Sequence, residues 1–551
     1  MYSLVPLIFM VNYIIVTGGV ISGLGKGITT ASIGKILQLH GYRVTAMKID
    51  PYINFDAGTL RPTEHGEVWV TEDGGEIDQD LGHYERFLDI NIPKSHNITT
   101  GQVFSVVIEK ERKGEYLGKT VQPIPHVTDE IKRRIRTAAA EAKPDFLLVE
   151  IGGTVGDYEN VLFLEAVRQM KLEGEKIIYV HVTYVPVLTA LGEAKTKPTQ
   201  HSVKLLREIG IQPDFIITRT EKPLDDVRKE KIALFCNMHE DEVISDSNIQ
   251  NVYGVTLLFE EQQLCKKILH KLGLRKKEQK LKTWKAFLTK ITKFDKKIKI
   301  GIVGKYFDIG AFKLSDSYIS VIEAVRHAAW NNNLRPDVQW IDSKLFEKQP
   351  KKIVSLNAFD GIIVPGGFGS SGIEGKISTI QYAREHNIPF LGLCLGMQLA
   401  VVEYARNICD MKDANSREFD KKTTHPVIDF MPEQVNIINE SRYGATMRLG
   451  AYPAILKKGT IIYKLYGEEK VSERHRHRYE VNPEYVTILE EHGLVFSGRS
   501  PDGILMEFME LPTHPYFVGT QAHPEFKSRP MKPAPLFDGL IKAAEKQKEK
   551  K

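Results

Sequence analysis

The sequence has little cysteine, no marked excess of charge and no apolar run long enough to span a membrane. Only four cysteines occur among 551 residues, and their spacing fits neither a zinc site nor a disulfide framework. Lys and Arg number 75 against 70 for Asp and Glu, so the net charge of +5 gives no support for holding nucleic acid by bulk charge. The apolar amino-terminal run MYSLVPLIFMV lacks a basic stretch and a small-residue cleavage site. We therefore expect a cytoplasmic protein, without a signal peptide, that binds neither nucleic acid nor membrane.

Length and composition indicate a multidomain globular protein. Hydrophobic residues make up 42% and charged residues 26%, which excludes fibrous, disordered and disulfide-scaffold classes. A chain of 551 residues is too long for one ordinary domain. We predict one domain at 1–274, a basic linker at 275–297 and a second domain at 298–551 with a charged tail.

Strands alternate with helices in both halves. A β-rich run at Tyr13–Thr17 precedes a glycine-rich turn and a helix that reaches about His40, and further buried strands read DFLLVEIGG, KIIYVHVTYV and DFIITRT. The second half opens on IKIGIVGKY and continues with DGIIVPGG and IPFLGLCLG. This alternation predicts two α/β domains, each a mainly parallel sheet with helices on both faces.

The stretch from Arg275 to Lys299 is strongly basic, with eleven Lys and Arg against two acidic residues. A solvated helical linker is the favoured interpretation, and a nucleic-acid patch is the alternative. Trp284, Phe287 and Leu288 are expected to pack this linker against a neighbouring element.

The run Gly18–Gly27 lies where the first strand becomes a helix. Glycines allow a tight turn that brings backbone N–H groups close to phosphate oxygens, and Lys26 can reach the terminal phosphates. The spacing differs from the strict P-loop, and Gly27 replaces the Ser or Thr that touches magnesium. Glu150, at the carboxyl end of the strand FLLVE, and Asp80 are the candidate substitutes, although Glu150 reads equally well as an ordinary loop acid.

Cys394 stands between two glycines, after the strand IPFLG and before a helical stretch. This G-x-C-x-G string is the thiol version of a nucleophile elbow, and the helix N-terminus favours the thiolate. The string TQAHPEF supplies His523 as base and Glu525 as its orienting group. The other three cysteines read as small buried hydrophobic residues.

Glycines at 366, 367 and 369 follow the strand DGIIVP. Gly367, Gly369 and Gly372 also fit a dinucleotide-binding fingerprint, but the preceding proline and the want of an acid closing the next strand argue against it. We expect an oxyanion loop whose N–H groups face the intermediate on the thiol.

The motifs in the two halves resemble those of known enzyme families. The second half is similar to the class I glutamine amidotransferases, and the first half looks like the dethiobiotin-synthetase type of P-loop enzyme. The strings GGVISGLGKG, KIDPYIN, HGEVWVTEDG, DLGHYERF, VEIGGTVGD, KTKPTQHSV and RHRHRYEVN together resemble the CTP synthase family from about Val11 to about Lys542. The resemblance implies ATP-dependent amination of UTP to CTP through a 4-phosphorylated UTP, with ammonia from glutamine or from solution.

The resemblance also implies roles for individual residues. In the glutaminase reaction, Cys394 would be the nucleophile, His523 the base and Glu525 its orienter. ATP would be held by Ser22, Gly23, Leu24, Gly25, Lys26, Gly27, Lys48 and Asp80, with its adenine at Ser247, Asn248 and Ile249. Mg²⁺ would be held by Asp80 and Glu150. UTP or inhibitory CTP would contact Ser22, Asp157, Tyr158, Glu159, Lys195, Thr196, Lys197, Pro198, Thr199, Gln200 and Lys231. Glutamine would contact Gly367, Leu395, Gly396, Met397, Gln398, Glu418 and Arg478.

A homotetramer, GTP activation, CTP feedback inhibition and an ammonia channel are implied by the family alone. Simpler interpretations stay open at two places: RHRHR as a solvated basic face, and Lys195 and Lys197 as surface lysines. Two other functions remain as alternatives. A cobyrinic-acid amidating synthase joins the same domain types, although KTKPTQHSV and DLGHYERF argue against it. A P-loop ATPase switch of the partitioning type would leave the Cys394, His523 and Glu525 set without a use.

Overall fold

A computed structural model describes residues 11–188, 192–277, 280–305, 308–309, 312–313, 316–367, 369–430 and 447–550. The amino-terminal run MYSLVPLIFMV lies mostly outside this range, as does Phe368 of the expected oxyanion loop. The chain packs as two compact units. One contains residues up to Asp56 and Asp80–Thr289, and the other contains Ala57–Gln79 and Lys290 onward.

The strands of the described residues follow in chain order. They are β1 Asn12–Gly18, β2 Val44–Asp50, β3 Val68–Val70, β4 Glu76–Asp78, β5 Asn97–Thr99, β6 Phe146–Ile151, β7 Lys176–Tyr184, β8 Val187–Leu188, β9 Glu193–Ala194, β10 Phe215–Thr220, β11 Val243–Ser247, β12 Lys297–Gly304, β13 Asp308–Ile309, β14 Phe312–Lys313, β15 Arg335–Asp342, β16 Gly361–Val364, β17 Phe390–Leu393, β18 Asn415–Ser416, β19 Pro426–Phe430, β20 Arg448–Leu456, β21 Lys470–His477, β22 Tyr479–Val481, β23 Val495–Arg499, β24 Met506–Glu510 and β25 Phe517–Thr520.

The α-helices of the described residues are numbered in the same way. They are α1 Lys26–Leu39, α2 Pro62–His65, α3 Asp80–Leu88, α4 Thr100–Arg112, α5 Thr128–Ala142, α6 Val161–Leu172, α7 Lys197–Glu208, α8 Asp226–Cys236, α9 Val255–Glu261, α10 Leu264–Lys271, α11 Leu281–Ile291, α12 Ile319–Asn331, α13 Lys344–Lys348, α14 Ile373–Glu385, α15 Leu395–Asn407, α16 Ile461–Tyr466, α17 Val486–Glu491 and α18 Pro535–Lys548.

The first unit is built on a parallel sheet in the order β11-β10-β7-β1-β6-β2-β5. Its strands are apolar on both faces because helices cover both sides. On β6, Leu147 and Val149 join the core cluster beneath α5 and α6, whereas Leu148 faces Gly34 of α1. The carboxyl ends of β1, β2, β6 and β7 therefore open at one edge of the sheet, where ligands bind in such folds.

The second unit contains a nine-stranded sheet in the order β15-β12-β16-β17-β25-β24-β23-β20-β21. The strands from β15 to β25 are parallel, and the remainder run antiparallel. Ile362 and Val364 of β16 face one core cluster and Ile363 the other, as the two-residue period of a strand requires. The two-domain α/β fold class is confirmed, and the antiparallel half of this sheet was not predicted.

The segment Ala57–Gln79 packs with the second unit, although its sequence lies within the first half. It contains α2 and an antiparallel hairpin of β3 and β4 in which Val68 pairs with Asp78. Sequence analysis did not predict that this segment packs with the second unit, because the sequence of a short hairpin does not indicate which neighbour it will pack against.

The linker helix α11 is anchored by its apolar side. Trp284 and Leu288 are buried, and the Trp284 ring lies 6.1 Å from that of Tyr253. The ammonium group of Lys35 lies 4.8 Å from the Trp284 ring centre. Within the described part of the chain, no helix has the length and apolar character needed to cross a bilayer.

Candidate active site

The glycine-rich loop of the first unit turns sharply between β1 and α1. Gly23 and Gly25 have φ values of 72° and 83°, and Val20 also has a φ of 83°. This left-handed backbone suits glycine and is strained for a β-branched residue such as Val20. The loop thereby delivers the N-terminus of α1 and the amine of Lys26 to the carboxyl edge of the sheet. Such a loop can hold an anionic phosphate chain.

Gly27 lacks a side chain because Asp80 occupies the space. A Cβ built on Gly27 would lie 2.2 Å from Oδ1 of Asp80. The carboxylate of Asp80 therefore stands where a conventional phosphate loop places its metal-binding hydroxyl. This geometry supports the prediction that an acid replaces the missing Ser or Thr.

Lys48 joins the two predicted metal ligands. Its Nζ donates to Oε1 of Glu150 at 2.9 Å and also bonds to Asp80, and Oδ1 of Asp50 lies 3.9 Å away. The hydroxyl of Tyr84 donates to the second oxygen of Glu150. Lys48 and Glu150 are almost completely buried. Hard oxygen donors from two acids suit Mg²⁺, which takes its remaining ligands from water and phosphate.

Burial and pairing shift the protonation of this cluster in opposite directions. Burial alone would lower the pKa of Lys48, but Asp80 and Glu150 hold it well above its ordinary value. Burial would raise the pKa of Asp80, and Lys48 holds it below its ordinary value. Burial raises the pKa of Asp50 to about 6 against the opposing effect of Lys48. The cluster is thus a charged network in which Asp80 is an anion at neutral pH.

Lys26 has its own acceptor in the adjoining loop. Its Nζ donates to the carbonyl oxygen of Gly153 at 3.0 Å. Burial lowers the pKa of Lys26, with a further contribution from the positive charge of Lys48. Two lysines therefore converge on the loop edge, and a polyanionic ligand would relieve their mutual repulsion.

Most of the residues predicted to contact UTP or CTP fall in two groups on loops and helix starts, whereas Ser22 lies in the glycine-rich loop and Lys231 lies on α8. Asp157, Tyr158 and Glu159 lie after β6, and Tyr158 is fully exposed. Lys195 and Thr196 precede α7, whose first turn carries Lys197, Pro198, Thr199 and Gln200.

Charges connect part of this region. Nζ of Lys195 donates to Oε2 of Glu193 at 2.5 Å, and Lys195 and Lys231 both lower the pKa of Glu193. Lys197 lies over the ring of Phe235 at 5.3 Å. Thr199 and Gln200 are buried and therefore anchor the helix start rather than cover the surface.

The predicted adenine contacts lie at the end of β11. Ser247 is its last residue and is buried, and Ile249 is 39% exposed. Oδ1 of Asn248 accepts from the guanidinium of Arg219 at 3.0 Å. The structure places these residues at the same sheet edge as the phosphate loop, with β10 and β7 between β11 and β1.

Cys394 forms a strained turn between β17 and α15. Its φ of 52° and ψ of −107° are unusual for a residue with a side chain. The flanking glycines are required by space, because a Cβ on Gly396 would lie 2.0 Å from the carbonyl oxygen of Val364, and one on Gly392 would lie 2.8 Å from Gly396. The turn presents the thiol at the carboxyl end of a parallel strand, as a nucleophile elbow does.

His523 and Glu525 complete the site. Nδ1 of His523 lies 2.7 Å from Oε1 of Glu525, and His523 and Cys394 line the same cavity. Burial alone would lower the pKa of His523, but Glu525 and Cys394 raise it to about 10. The imidazole is therefore protonated at neutral pH and can act as a proton donor beside the Cys394 sulfur.

The glycine loop after β16 borders the thiol. A Cβ on Gly366 would lie 3.0 Å from the His523 ring and 3.6 Å from Cβ of Cys394. The carbonyl of Pro365 accepts from Nζ of Lys376 at 3.1 Å, and Lys376 is completely buried. Burial lowers the pKa of Lys376 to about 7. Lys376 fixes the start of this loop, and no sequence signal identified it.

The predicted glutamine-binding residues divide by their side chains. Leu395 and Met397 are buried in the hydrophobic core, and Gly396 packs closely against the carbonyl of Val364. Nε2 of Gln398 donates to the carbonyl of Tyr479 at 2.8 Å. Oε1 of Glu418 accepts from the N–H of Gly369 at 3.3 Å, and burial raises the pKa of Glu418.

A cavity joins the catalytic residues to the hairpin segment. It is lined by Glu67, Val68, Ser317, Tyr318, Val321, Pro365, Gly366, Gly367, Cys394, Arg476, His523, Glu525 and Phe526. Arg478, half-buried, follows β21. Nε2 of Gln521 donates to the Cys394 sulfur at 3.6 Å, a contact that sequence analysis missed.

The string RHRHR is not a solvated basic face. Arg474, His475 and His477 on β21 are all buried. His475 lies 2.7 Å from Oε2 of Glu507, which shows why a basic residue is tolerated in the interior. The simpler interpretation of this string was wrong.

A loop built for phosphate and a thiol built for acyl transfer occur on one chain. Phosphate loops of this kind occur in enzymes that activate an acceptor with ATP, and cysteine elbows of this kind occur in enzymes that release ammonia from an amide. The fold and the two sites define a P-loop ligase joined to a class I glutamine amidotransferase.

Comparison with known proteins narrows this class. Residues 12–274 match the family model for the CTP synthase N-terminus, and residues 313–543 match that for the class-I glutamine amidotransferases. The CTP synthase of Pyrococcus abyssi is 56% identical over 545 residues, covering 98% of this chain and 99% of that one. The CTP synthase of Methanocaldococcus jannaschii is 54% identical over 97% of this chain and 98% of that one. The chain belongs to the CTP synthase family.

A solved structure is similar to part of the second half. It is the glutaminase domain of Trypanosoma brucei CTPS with bound acivicin, 39% identical, covering 45% of this chain and 94% of that one with a TM-score of 0.42.

The His523 pKa gives a prediction for glutamine hydrolysis. Replacing Glu525 by Gln removes a charge that raises this pKa, so the ring should lose its proton at a lower pH. The alkaline limb of the pH profile of kcat/KM should therefore move to lower pH, and the rate at neutral pH should fall about 10²-fold. Ammonia release from glutamine, measured across pH in both proteins, checks this; an unmoved alkaline limb would contradict the assignment.

Proposed function

We propose that this protein aminates UTP to CTP with ATP, using ammonia released from glutamine or supplied in solution. The observation that carries the proposal is the cavity lined by Cys394 and by the hydrogen-bonded pair His523 and Glu525, on the same chain as a phosphate loop closed by Asp80. The family match over almost the whole chain supports the same reaction. Neither the corrinoid alternative nor the ATPase switch is favoured by any contact described above.

The glutamine half reaction follows from the elbow geometry. The Cys394 thiolate attacks the side-chain amide carbon of glutamine, and N–H groups of the loop at Gly367 and of Leu395 face the developing oxyanion. Protonated His523 gives its proton to the departing nitrogen, and ammonia leaves. Water then hydrolyses the thioester to release glutamate and restore the thiol.

The synthetase half reaction uses the edge of the parallel sheet. The γ-phosphoryl group of ATP passes to the 4-oxygen of UTP, which leaves ADP and turns a poor leaving group into a good one. Ammonia attacks carbon 4, and phosphate departs to give CTP. Lys26 and Lys48 hold phosphate oxygens, and the loop N–H groups keep the transferring group in line.

Asp80 and Glu150 are the residues that would hold Mg²⁺. The ion would neutralise charge on the ATP phosphates during transfer. Lys48 now bonds to both acids, so it would turn from at least one of them toward a phosphate when the metal and ATP are bound.

We infer three further properties at the level of the family resemblance. UTP and inhibitory CTP would occupy the residues around Asp157–Glu159 and Lys195–Gln200, together with Lys231. GTP would activate glutamine hydrolysis, and four copies would assemble. We also infer that the protein works in the cytoplasm, with the predicted domain limits of 1–274 and 298–551.

Mutation should separate the two half reactions. Cys394→Ala should lose glutamine-dependent CTP synthesis by several orders of magnitude, because the covalent step is gone, and should keep ammonia-dependent synthesis. Lys26→Ala should lose CTP synthesis from both nitrogen donors, because no phosphorylated UTP forms. CTP formation from glutamine and from ammonium, assayed in both variants, measures this.

Two controls accompany that pair. Lys26→Ala should still react with a thiol-directed glutamine analogue, which shows that its glutaminase site is folded. Rescue of Cys394→Ala by ammonium should improve at alkaline pH, since free ammonia is the attacking species. Equal loss of both activities in Cys394→Ala would mean that the thiol is structural.

The metal assignment predicts a selective requirement. Glu150→Gln should abolish ammonia-dependent CTP formation, because it removes a charged ligand, and should leave glutamine hydrolysis unaffected. Glu165→Gln, which changes an acid paired with Arg168 on α6, is the matched control and should retain both activities. Titrating Mg²⁺ in each assay tests this; wild-type CTP formation by Glu150→Gln at limiting magnesium would overturn it.

Assembly is predicted to depend on nucleotide. If UTP is bound where subunits meet, ATP and UTP together should shift the protein from smaller species toward a tetramer by mass action. Sedimentation velocity with and without both nucleotides measures the shift. A single unchanged monomer under both conditions would refute this proposal.

A further inference from the structure

The hairpin segment, Ala57–Gln79, packs against the strand that supports both catalytic residues of the glutaminase site. We propose that this segment positions the catalytic thiol and imidazole, acting through Arg474, Arg476 and Phe526. The proposal rests on the function proposed for Cys394 and His523. It adds Trp69, Glu72 and Glu76 as positioning residues for glutamine hydrolysis, although they lie in the half of the sequence that carries the phosphate loop.

Strand β21 provides the connection through its two alternate arginines. Arg474 and Arg476 are two residues apart, so their side chains leave the same face of the strand. Both side chains bond to the hairpin segment, as the next contacts show. The carbonyl groups of the same two residues contact the catalytic pair, so the segment and the active site meet through one strand.

The contacts of Arg474 reach His523. Its Nε donates to Oε1 of Glu72 at 3.0 Å, and its NH1 donates to the carbonyl of Val70 at 2.9 Å. Its own carbonyl accepts from the backbone N–H of His523 at 2.7 Å. Arg474 is completely buried, so its charge needs these acceptors. The segment therefore fixes the backbone position of the catalytic histidine.

The contacts of Arg476 reach Cys394. Its Nε donates to Oε1 of Glu76 at 2.8 Å, and its NH2 donates to the carbonyl of Gly58 at 3.1 Å. Sγ of Cys394 lies 3.8 Å from the carbonyl oxygen of Arg476. Glu76 is almost completely buried. The same segment thus holds the strand edge against which the nucleophile rests.

Aromatic packing fixes the imidazole plane. The Trp69 ring lies 4.9 Å from the Phe526 ring, and Phe526 stacks on His523 at 5.3 Å with an interplanar angle of 22°. The Arg474 guanidinium lies over the Trp69 ring, 5.3 Å from the ring centre. Trp69 is fully buried, so close packing restricts the movement of the stacked rings.

Trp69 is the residue to change, because it contacts Phe526 and is not among the described residues that line the cavity at Cys394. Trp69→Leu should lower kcat for glutamine hydrolysis by about 10- to 100-fold, because a misplacement of 1 Å in a catalytic group has this effect. KM for glutamine should stay within about threefold, since Glu418 and Arg478 are unchanged. Trp69→Phe should restore most of kcat, because a ring again supports Phe526.

Two readouts separate positioning from general destabilisation. The pH profile of alkylation of Cys394 by a glutamine analogue should shift in Trp69→Leu, because the His523 ring is no longer held against Glu525. Ammonia-dependent CTP synthesis should be retained. Trp330→Leu is the matched control: it removes a half-buried tryptophan from α12 of the same unit and should leave kcat and the pH profile unchanged.

A second variant tests the ionic contact independently. Glu72→Gln keeps an acceptor for Arg474 but removes the charge, and it should lower kcat less than Trp69→Leu does, again with KM retained. If Trp69→Leu and Glu72→Gln both hydrolyse glutamine at the wild-type kcat, the inference is wrong. If the wild-type protein itself releases no ammonia from glutamine, the proposed function fails first, so the two failures are distinguishable.

Discussion

Close approach of backbone at glycine is the constraint on which both sites depend. At Gly27 the space that a Cβ would take is filled by Asp80, and at Gly396 it is filled by the carbonyl of Val364. Each glycine follows a strand of a parallel sheet, where the chain must turn into a helix within a few residues. These close approaches let the first unit bring an acid to a phosphate loop and the second unit expose a thiol. In each unit, therefore, a glycine without a side chain leaves the space that the arrangement of the reactive groups requires.

Burial and neighbouring charges then have opposite effects on the pKa values of the ionisable groups in both units. In the first unit Lys48 lies among acids, so pairing overcomes burial and keeps the groups charged. In the second unit Glu525 and Cys394 overcome burial at His523 and keep the ring protonated. The amine of Lys376 donates to the carbonyl of Pro365, and burial and the positive charge of Lys305 lower its pKa more than Glu418 raises it. Local partners, rather than depth alone, determine which groups carry charge in the reaction.

Much of the fold and both reactive loops could be predicted because their signals are local. The glycine run before Lys26 and the glycines around Cys394 report backbone geometry directly. The contacts of Lys376 and Gln521 could not be predicted, because each is a single polar residue brought to the site by packing distant in sequence. The place of Asp50 in this cluster could have been predicted, because Asp50 lies at the carboxyl end of a buried strand, as Glu150 does. It was not predicted, because acids were considered only as replacements for the hydroxyl missing at Gly27. The burial of Arg474 could not be predicted, because alternating basic residues have the same pattern on a solvated face and on a strand paired with buried acids.

The hairpin segment shows why sequence boundaries and packing boundaries differ here. The family match for the amino-terminal half covers residues 12–274 without a break, yet Ala57–Gln79 pack with the carboxyl-terminal half. Without this segment, the buried guanidinium of Arg474 would lose Glu72 and the Val70 carbonyl, and Phe526 would lose the ring of Trp69. Loss of acceptors from a buried charge is strongly destabilising, so the strand would have to rearrange. Because that strand carries the carbonyls beside His523 and Cys394, a glutaminase site of this geometry requires both halves of the chain.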